Sequence, residues 1–146
     1  MIRAVPPFDN PDVAAAFDTF DADARDTLLA IRQLIFETAE DTDGVGRLDE
    51  ALRWGQPAYL TPETRSGSTI RLGSPMPGKV ALYAHCQTTL IEEFHEQFPE
   101  FEIEPKRAAY LSVGKQLPEL AVVWLARAAL TYHLRKRAAK HTAKTA

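Results

Sequence analysis

The chain holds a single cysteine, Cys86, in 146 residues. One thiol cannot close an internal disulfide, so the sequence points to a reducing compartment and a cytoplasmic chain. Long apolar runs are missing as well. The longest, Leu120 to Ala126, ends at Arg127 and falls far short of the ~18 residues that cross a membrane. The first residues contain Arg3 but no apolar stretch, because Pro6, Pro7, Asp9 and Asn10 interrupt it, so no signal peptide and no membrane contact are expected. There is no Cys-x-x-Cys pair for zinc, no Walker loop and no Gly-x-Ser-x-Gly elbow. Gly44-x-Gly46 follows a helical stretch rather than a strand, which excludes a dinucleotide fingerprint. A calcium loop counted from Asp41 would need a ligand at Val45 and a Glu at Leu52, and both positions fail. His85-Cys86 are neighbours on an extended segment, point to opposite faces and cannot pair as base and nucleophile. Cys86 is expected to be a buried, inert thiol at a strand end. Glu92-x-x-His95 has the helical spacing of carboxylate-bridged iron sites, but only one copy is present.

What is present is one domain's worth of ordinary globular composition, 45% hydrophobic, expected to fold as a single unit over residues 1–140 with a frayed basic tail over 141–146. The net charge of −3 is unevenly spread: residues 1–52 carry 12 acids and 4 bases, whereas residues 106–146 carry 1 acid and 9 bases. An acidic front and a basic tail read as solvated faces, with internal complementarity or a homodimer as the other reading. Arg135-Lys136-Arg137, Lys140 and Lys144 alone do not make a nucleic-acid interface in a chain of negative net charge.

Asn10-Pro11 is a helix start, with Asn as cap and Pro at the first helical position. Asp21 reads as the cap of a longer helix with Leu28, Ile31 and Ile35 on one face, ending before Gly44. Residues 45–52 could continue as one more short helix. Gly55 and Pro57 break that reading, and residues 58–60, 68–72 and 79–85 follow as strands, the last two joined by a turn-rich connector. Thr89 and Glu92 fit a capping box ahead of a helix with Leu90, Ile91, Phe94 and Phe98 on one face. Residues 101–103 and 108–113 are further strands, and one last helix opens at Leu117-Pro118-Glu119 and runs to about Arg137. The expected class is α+β: an antiparallel sheet of about five strands, N-terminal helices, one inserted helix and a closing helix.

Strand alternation places Val80, Leu82 and Ala84 on one face and Ala81, Tyr83 and His85 on the other. Arg71 opposes Ile70 and Leu72, and Tyr110 opposes Leu111. One face would then gather Arg71, Tyr83, His85, Tyr110 and, if its strand continues the pattern, Tyr59. Such a face offers a fixed cation, hydroxyl donors and a group that titrates near neutrality, which suits a small anionic or polar ligand. The plainer reading is a polar face partly covered by a helix. Trp54 and Tyr59 flank Gly55-Gln56-Pro57-Ala58. They read either as the edge of a ligand site or, as preferred here, as a kinked strand entry with Trp54 plugging the core.

These residues carry a family resemblance. The helix Leu28 to Glu37 followed by Trp54-Gly55-Gln56-Pro57-Ala58-Tyr59, the strand Lys79-Val80-Ala81-Leu82-Tyr83 and the closing amphipathic helix resemble the YdhG-like domains, a bacterial family of unknown function. The resemblance implies a small α+β domain with an antiparallel sheet and no catalytic residues. Some members are described as frataxin-like intracellular iron chaperones, which implies iron held by surface carboxylates. Asp18, Asp21, Asp23 and Asp26 are acids of that general style, but no metal-ligand spacing joins them. The residues therefore favour a non-enzymatic binding module for a small ligand or a protein partner. No cofactor is expected, with an iron chaperone as the alternative.

Overall fold

Asn10 starts the first helix as its chemistry dictates: its Oδ1 accepts from the backbone N–H groups of Asp12 (2.9 Å) and Val13 (3.4 Å), ahead of Pro11 at the first helical position. This computed structural model describes residues 4–145. Helices α1 (Pro11–Asp18) and α2 (Ala22–Asp41) come first. Strands β1 (Asp49–Arg53), β2 (Gln56–Leu60), β3 (Ile70–Met76) and β4 (Lys79–Tyr83) follow, then α3 (Leu90–Gln97), β5 (Ile103–Glu104), β6 (Ala108–Ser112), α4 (Glu119–Leu130) and α5 (Tyr132–Thr145). The class is α+β. One fully antiparallel sheet of six strands runs in the order β1-β2-β3-β4-β6-β5, one strand more than expected. No helix among the described residues is long and apolar enough to cross a membrane.

The register separates the two faces. Tyr59, Ile70, Leu72, Val80, Leu82, Ala109 and Leu111 share one face and join a single core with Val13, Phe17, Leu28, Ile31, Ile35, Phe94 and Leu125 from the helices. Ala58, Ala81 and Ala108 are just as buried, yet they lie on the opposite face and outside that core. The helices thus cover one side of the sheet and leave the other without a helix.

Four local expectations need correction. Residues 49–53 form an edge strand, not a helix. The preceding turn through Gly44 (φ +87°) and Gly46 (φ +71°) resets the chain direction, and tertiary pairing with β2 decides the conformation. Thr89 does not form a capping box with Glu92; its Oγ1 donates to Glu93 instead (2.9 Å), and Asp21 makes no side-chain cap bond. The closing helix is two helices broken at Thr131. In a continuous helix the N–H groups of His133 and Leu134 would donate to Ala129 and Leu130. Both donate instead to the carbonyl of Ser66 (2.8 and 3.1 Å), while Ser68 N–H takes the Ala129 carbonyl (2.9 Å) and Ser66 Oγ takes that of Leu130 (2.8 Å). A loop inserted from elsewhere in the chain thus replaces one turn of helical bonds. Gly67 lets the loop come that close, since a Cβ there would sit 2.7 Å from Ala129 O. α5 carries its helical backbone to Thr145.

Candidate functional site

The helix-free face is built on very small residues. Reading across the register, Ala58 faces Arg71, Arg71 faces Tyr83, Gly73 faces Ala81, and Ala81 faces Tyr110. Ala51, Ala58, Gly73, Ala81 and Ala108 form a floor, and the longer chains of Gln56, Arg71, Lys79, Tyr83 and Tyr110 lie over it. Gly73 is the hollow of that floor. A Cβ there would meet Tyr83 Cε2 at 2.9 Å and Gln56 Nε2 at 3.4 Å, so the phenol leans across the strand into the space a side chain would take.

Arg71 Nη1 donates to Gln56 Oε1 (2.6 Å), and its guanidinium carbon lies 5.5 Å from the centre of the Tyr83 ring. This bond uses the acceptor of Gln56 and leaves its NH2 group facing the hollow. Tyr83 OH has no protein acceptor among the described hydrogen bonds. The cluster Gln56–Arg71–Tyr83 is therefore rich in donors and poor in acceptors, which is the chemistry of an anion site. Burial raises the Tyr83 pKa; Arg71 lowers it in part and Glu104 adds to the rise. The phenol thus stays a neutral donor at ordinary pH. A second group lies alongside: Lys79 Nζ pairs with Glu102 at 2.5 Å and sits 5.3 Å from the centre of the Tyr110 ring, while Tyr110 OH donates to Glu104 (2.9 Å). Desolvation first, then that bond to Glu104, pushes the Tyr110 pKa up to about 12. This second group is satisfied within itself.

Arg71, Tyr83 and Tyr110 thus share one face as the alternation expects, and no helix among the described residues covers it. The other three candidates lie elsewhere. Tyr59 is on the core face, fully buried, with its OH donating to Glu50 (2.8 Å), because β2 turns Ala58 and not Tyr59 toward Arg71. His85 lies past the end of β4 in an exposed turn, its Nδ1 accepting from the Gln87 N–H (3.1 Å). Cys86 is exposed in the same turn rather than buried. Trp54, expected as a core plug, is 89% exposed. It occupies the first position of the two-residue loop between β1 and β2, with φ +56° followed by +73° at Gly55, and such a loop points its side chains into solvent.

A buried polar centre went unread in the sequence. Arg32, 1% exposed, reaches from α2 to Glu50 in a two-pronged ion pair (2.6 and 3.0 Å) and donates to the carbonyls of Pro6 (2.7 Å) and Pro7 (3.1 Å). Its guanidinium lies between the rings of Phe8 (3.9 Å) and Phe36 (4.9 Å). Every contact is internal, so this centre fastens the N-terminal arm and β1 to α2. The one available signal was Arg32 at i+4 from Leu28, on the apolar stripe.

Clefts occur elsewhere on the molecule. One of about 290 Å³ is lined by Glu93, Trp124, Arg127 and Arg135, and one of about 340 Å³ by Pro6, Phe36, Arg47 and Glu50; neither includes Arg71, Tyr83 or Tyr110. Among the described residues no group of three or more His, Cys, Asp or Glu side chains is placed to hold a metal ion. The chain matches no family model, no curated protein and no solved structure.

Proposed function

We propose that this domain is a non-enzymatic binding module that takes a small anion-bearing ligand, a carboxylate or a phosphate, on the helix-free face of its sheet. The observation that carries the reading is the donor cluster around Gly73. Arg71 brings a fixed cation with unused N–H groups, Gln56 an amide NH2 and Tyr83 a phenol, all over a floor without side-chain bulk. Arg71 would hold the anion, Gln56 would fix the guanidinium plane, and Tyr83, whose ring fills the space over Gly73, would donate from beside them. No nucleophile and no acid–base pair accompanies them, which supports binding rather than turnover.

We also read the chain as a YdhG-like domain, on the string from Trp54 to Tyr59 and the strand from Lys79 to Tyr83, and as a cytoplasmic one, since an exposed lone thiol at Cys86 suits a reducing compartment. The iron-chaperone reading gains no support from the acids at the start of α2. Asp23 and Asp26 line a cleft with Lys115, which offers them a cation rather than a third carboxylate.

The test is a titration of the isotopically labelled domain with inorganic phosphate and with benzoate, followed by NMR, on the parent chain and on Arg71→Ala. Saturable shifts centred on Gln56, Arg71, Gly73 and Tyr83, lost in Arg71→Ala, are expected. Shifts that survive in Arg71→Ala, or none with either anion, would refute the reading.

A further inference from the structure

We infer that β1 is a self-pairing edge, through which two copies of this chain join their sheets into one continuous antiparallel sheet. The strand lies at the end of the sheet, and no described strand or loop bonds to its outer side. The two-residue loop Trp54-Gly55 makes Arg53 and Gln56 the closing pair of the hairpin, which exchanges both its bonds. Alternation then turns the backbone groups of Asp49, Ala51 and Arg53 toward β2 and those of Glu50 and Leu52 outward. Of the four outward groups, the Leu52 carbonyl is taken by the chain's own Arg53 Nη1 (2.9 Å), and the other three find no partner among the described residues. The edge is blocked by neither a proline nor a bulge, and its protection rests on the charges of Asp49, Glu50 and Arg53.

What selects a second copy as the occupant is the strand's charge order, Asp49-Glu50-Ala51-Leu52-Arg53. Set antiparallel on itself about a twofold axis at Ala51, it places Glu50 opposite the partner's Leu52, so that the outward groups of both strands meet in four backbone bonds. The same register sets Asp49 opposite the partner's Arg53, and Arg53 opposite the partner's Asp49. Both residues are solvent-accessible and lie on the helix-free face, Asp49 with a side chain 47% exposed. Opposite charges across strands favour this register, and a shift by two residues would lose both pairs and bring like charges closer. Ala51 meets its own copy at a non-bonded position, where backbones approach to about 4.5 Å and a small residue fits best. Glu50 keeps its bond to Arg32, because that side chain points to the core face.

The twofold axis stands perpendicular to the sheet, so both helix-free faces look the same way. Five strand spacings then separate the two Arg71 positions, about 24 Å. The pairing does not depend on what the face binds, and its test is separate.

The test combines sedimentation velocity with cross-linking on the full chain. The parent protein is expected to dimerise reversibly with concentration. Arg53→Asp alone and Asp49→Arg alone each set like charges opposite one another twice and should weaken the dimer by about tenfold or more, while the combined exchange restores it. Both positions lie on the surface, so circular dichroism should show all three variants folded. In a Cys86→Ala background, Ala51→Cys should form a disulfide-linked dimer on mild oxidation, since the pair distance falls within disulfide reach, whereas Met76→Cys, on the exposed tip of β3, should not. A parent chain that stays monomeric throughout, a charge exchange that fails to restore the dimer, or equal cross-linking at both cysteines would overturn the inference.

Discussion

Glu50→Ala should be among the most damaging single substitutions on a strand that reads, from sequence, as part of a short helix. The carboxylate is the counter-charge of Arg32 among the described residues, and the two side chains are 8% and 1% exposed. Truncating it leaves a guanidinium buried between Phe8 and Phe36 with only the carbonyls of Pro6 and Pro7 to hold it, and strands the Tyr59 hydroxyl in the core. Breaking a buried pair by removing one partner costs about 3–5 kcal/mol, and the orphaned hydroxyl overlaps with that figure rather than adding fully. Against a total stability of about 5–15 kcal/mol this is a large share, and it corresponds to a fall of roughly 8–16 °C in Tm for a chain of this length. Replacing both partners, Arg32→Leu with Glu50→Leu, removes more atoms but leaves no unpaired charge. It should be milder than Glu50→Ala. Urea unfolding followed by circular dichroism measures both. A Glu50→Ala chain within ~1 kcal/mol of the parent, or a double variant worse than the single, would show that the pair is not the fastening described.

Gly67→Ala forces a Cβ against the backbone at Ala129 and Leu130. It should cost about 3 kcal/mol or more, seen as a shifted urea midpoint. Trp54→Asn should stabilise the domain by up to ~1 kcal/mol in the same assay, since Asn accepts the positive φ of the loop and nothing packs on the indole. The pH dependence follows from Tyr59, whose pKa burial and the Glu50 carboxylate raise well above 10. Its folded pKa exceeds its unfolded one, so its contribution is fully present below pH 10 and is lost as pH rises toward the folded pKa. Above pH 10 stability should fall by about 1.4 kcal/mol per pH unit from this group, and Tyr59→Phe should flatten the decline. An equal decline in Tyr59→Phe would assign the effect to other groups.

The sheet's two faces were legible because strand alternation is local: Val80 and Leu82 opposite Ala81 and Tyr83 needs nothing beyond the sequence. The long helices were legible for the same reason, through Leu28, Ile31 and Ile35. What was hidden came from contacts distant in the chain. Thr131 breaks a helix because Ser66 and Ser68 supply bonds from some 65 residues earlier. Asp49 to Arg53 is a strand because β2 pairs with it, and Trp in place of the usual Asn before Gly55 concealed the turn. That error displaced Trp54 from tip to core. It also left the parity of Tyr59 unfixed, and so its side of the sheet. Arg71 and Tyr83 were placed together by alternation alone, but the hollow at Gly73 that joins them to Gln56 required the register of three strands.

The central claim is that the donor cluster over Gly73 is the binding face. The Nε–H resonance of Arg71, followed by NMR as benzoate is added, tests it most directly. The account predicts a saturable shift of that resonance together with the side-chain amide of Gln56, while Arg32, closed within its pair with Glu50, stays still. An unmoved Arg71, or a response at Arg127 and Arg135 in its place, would contradict it.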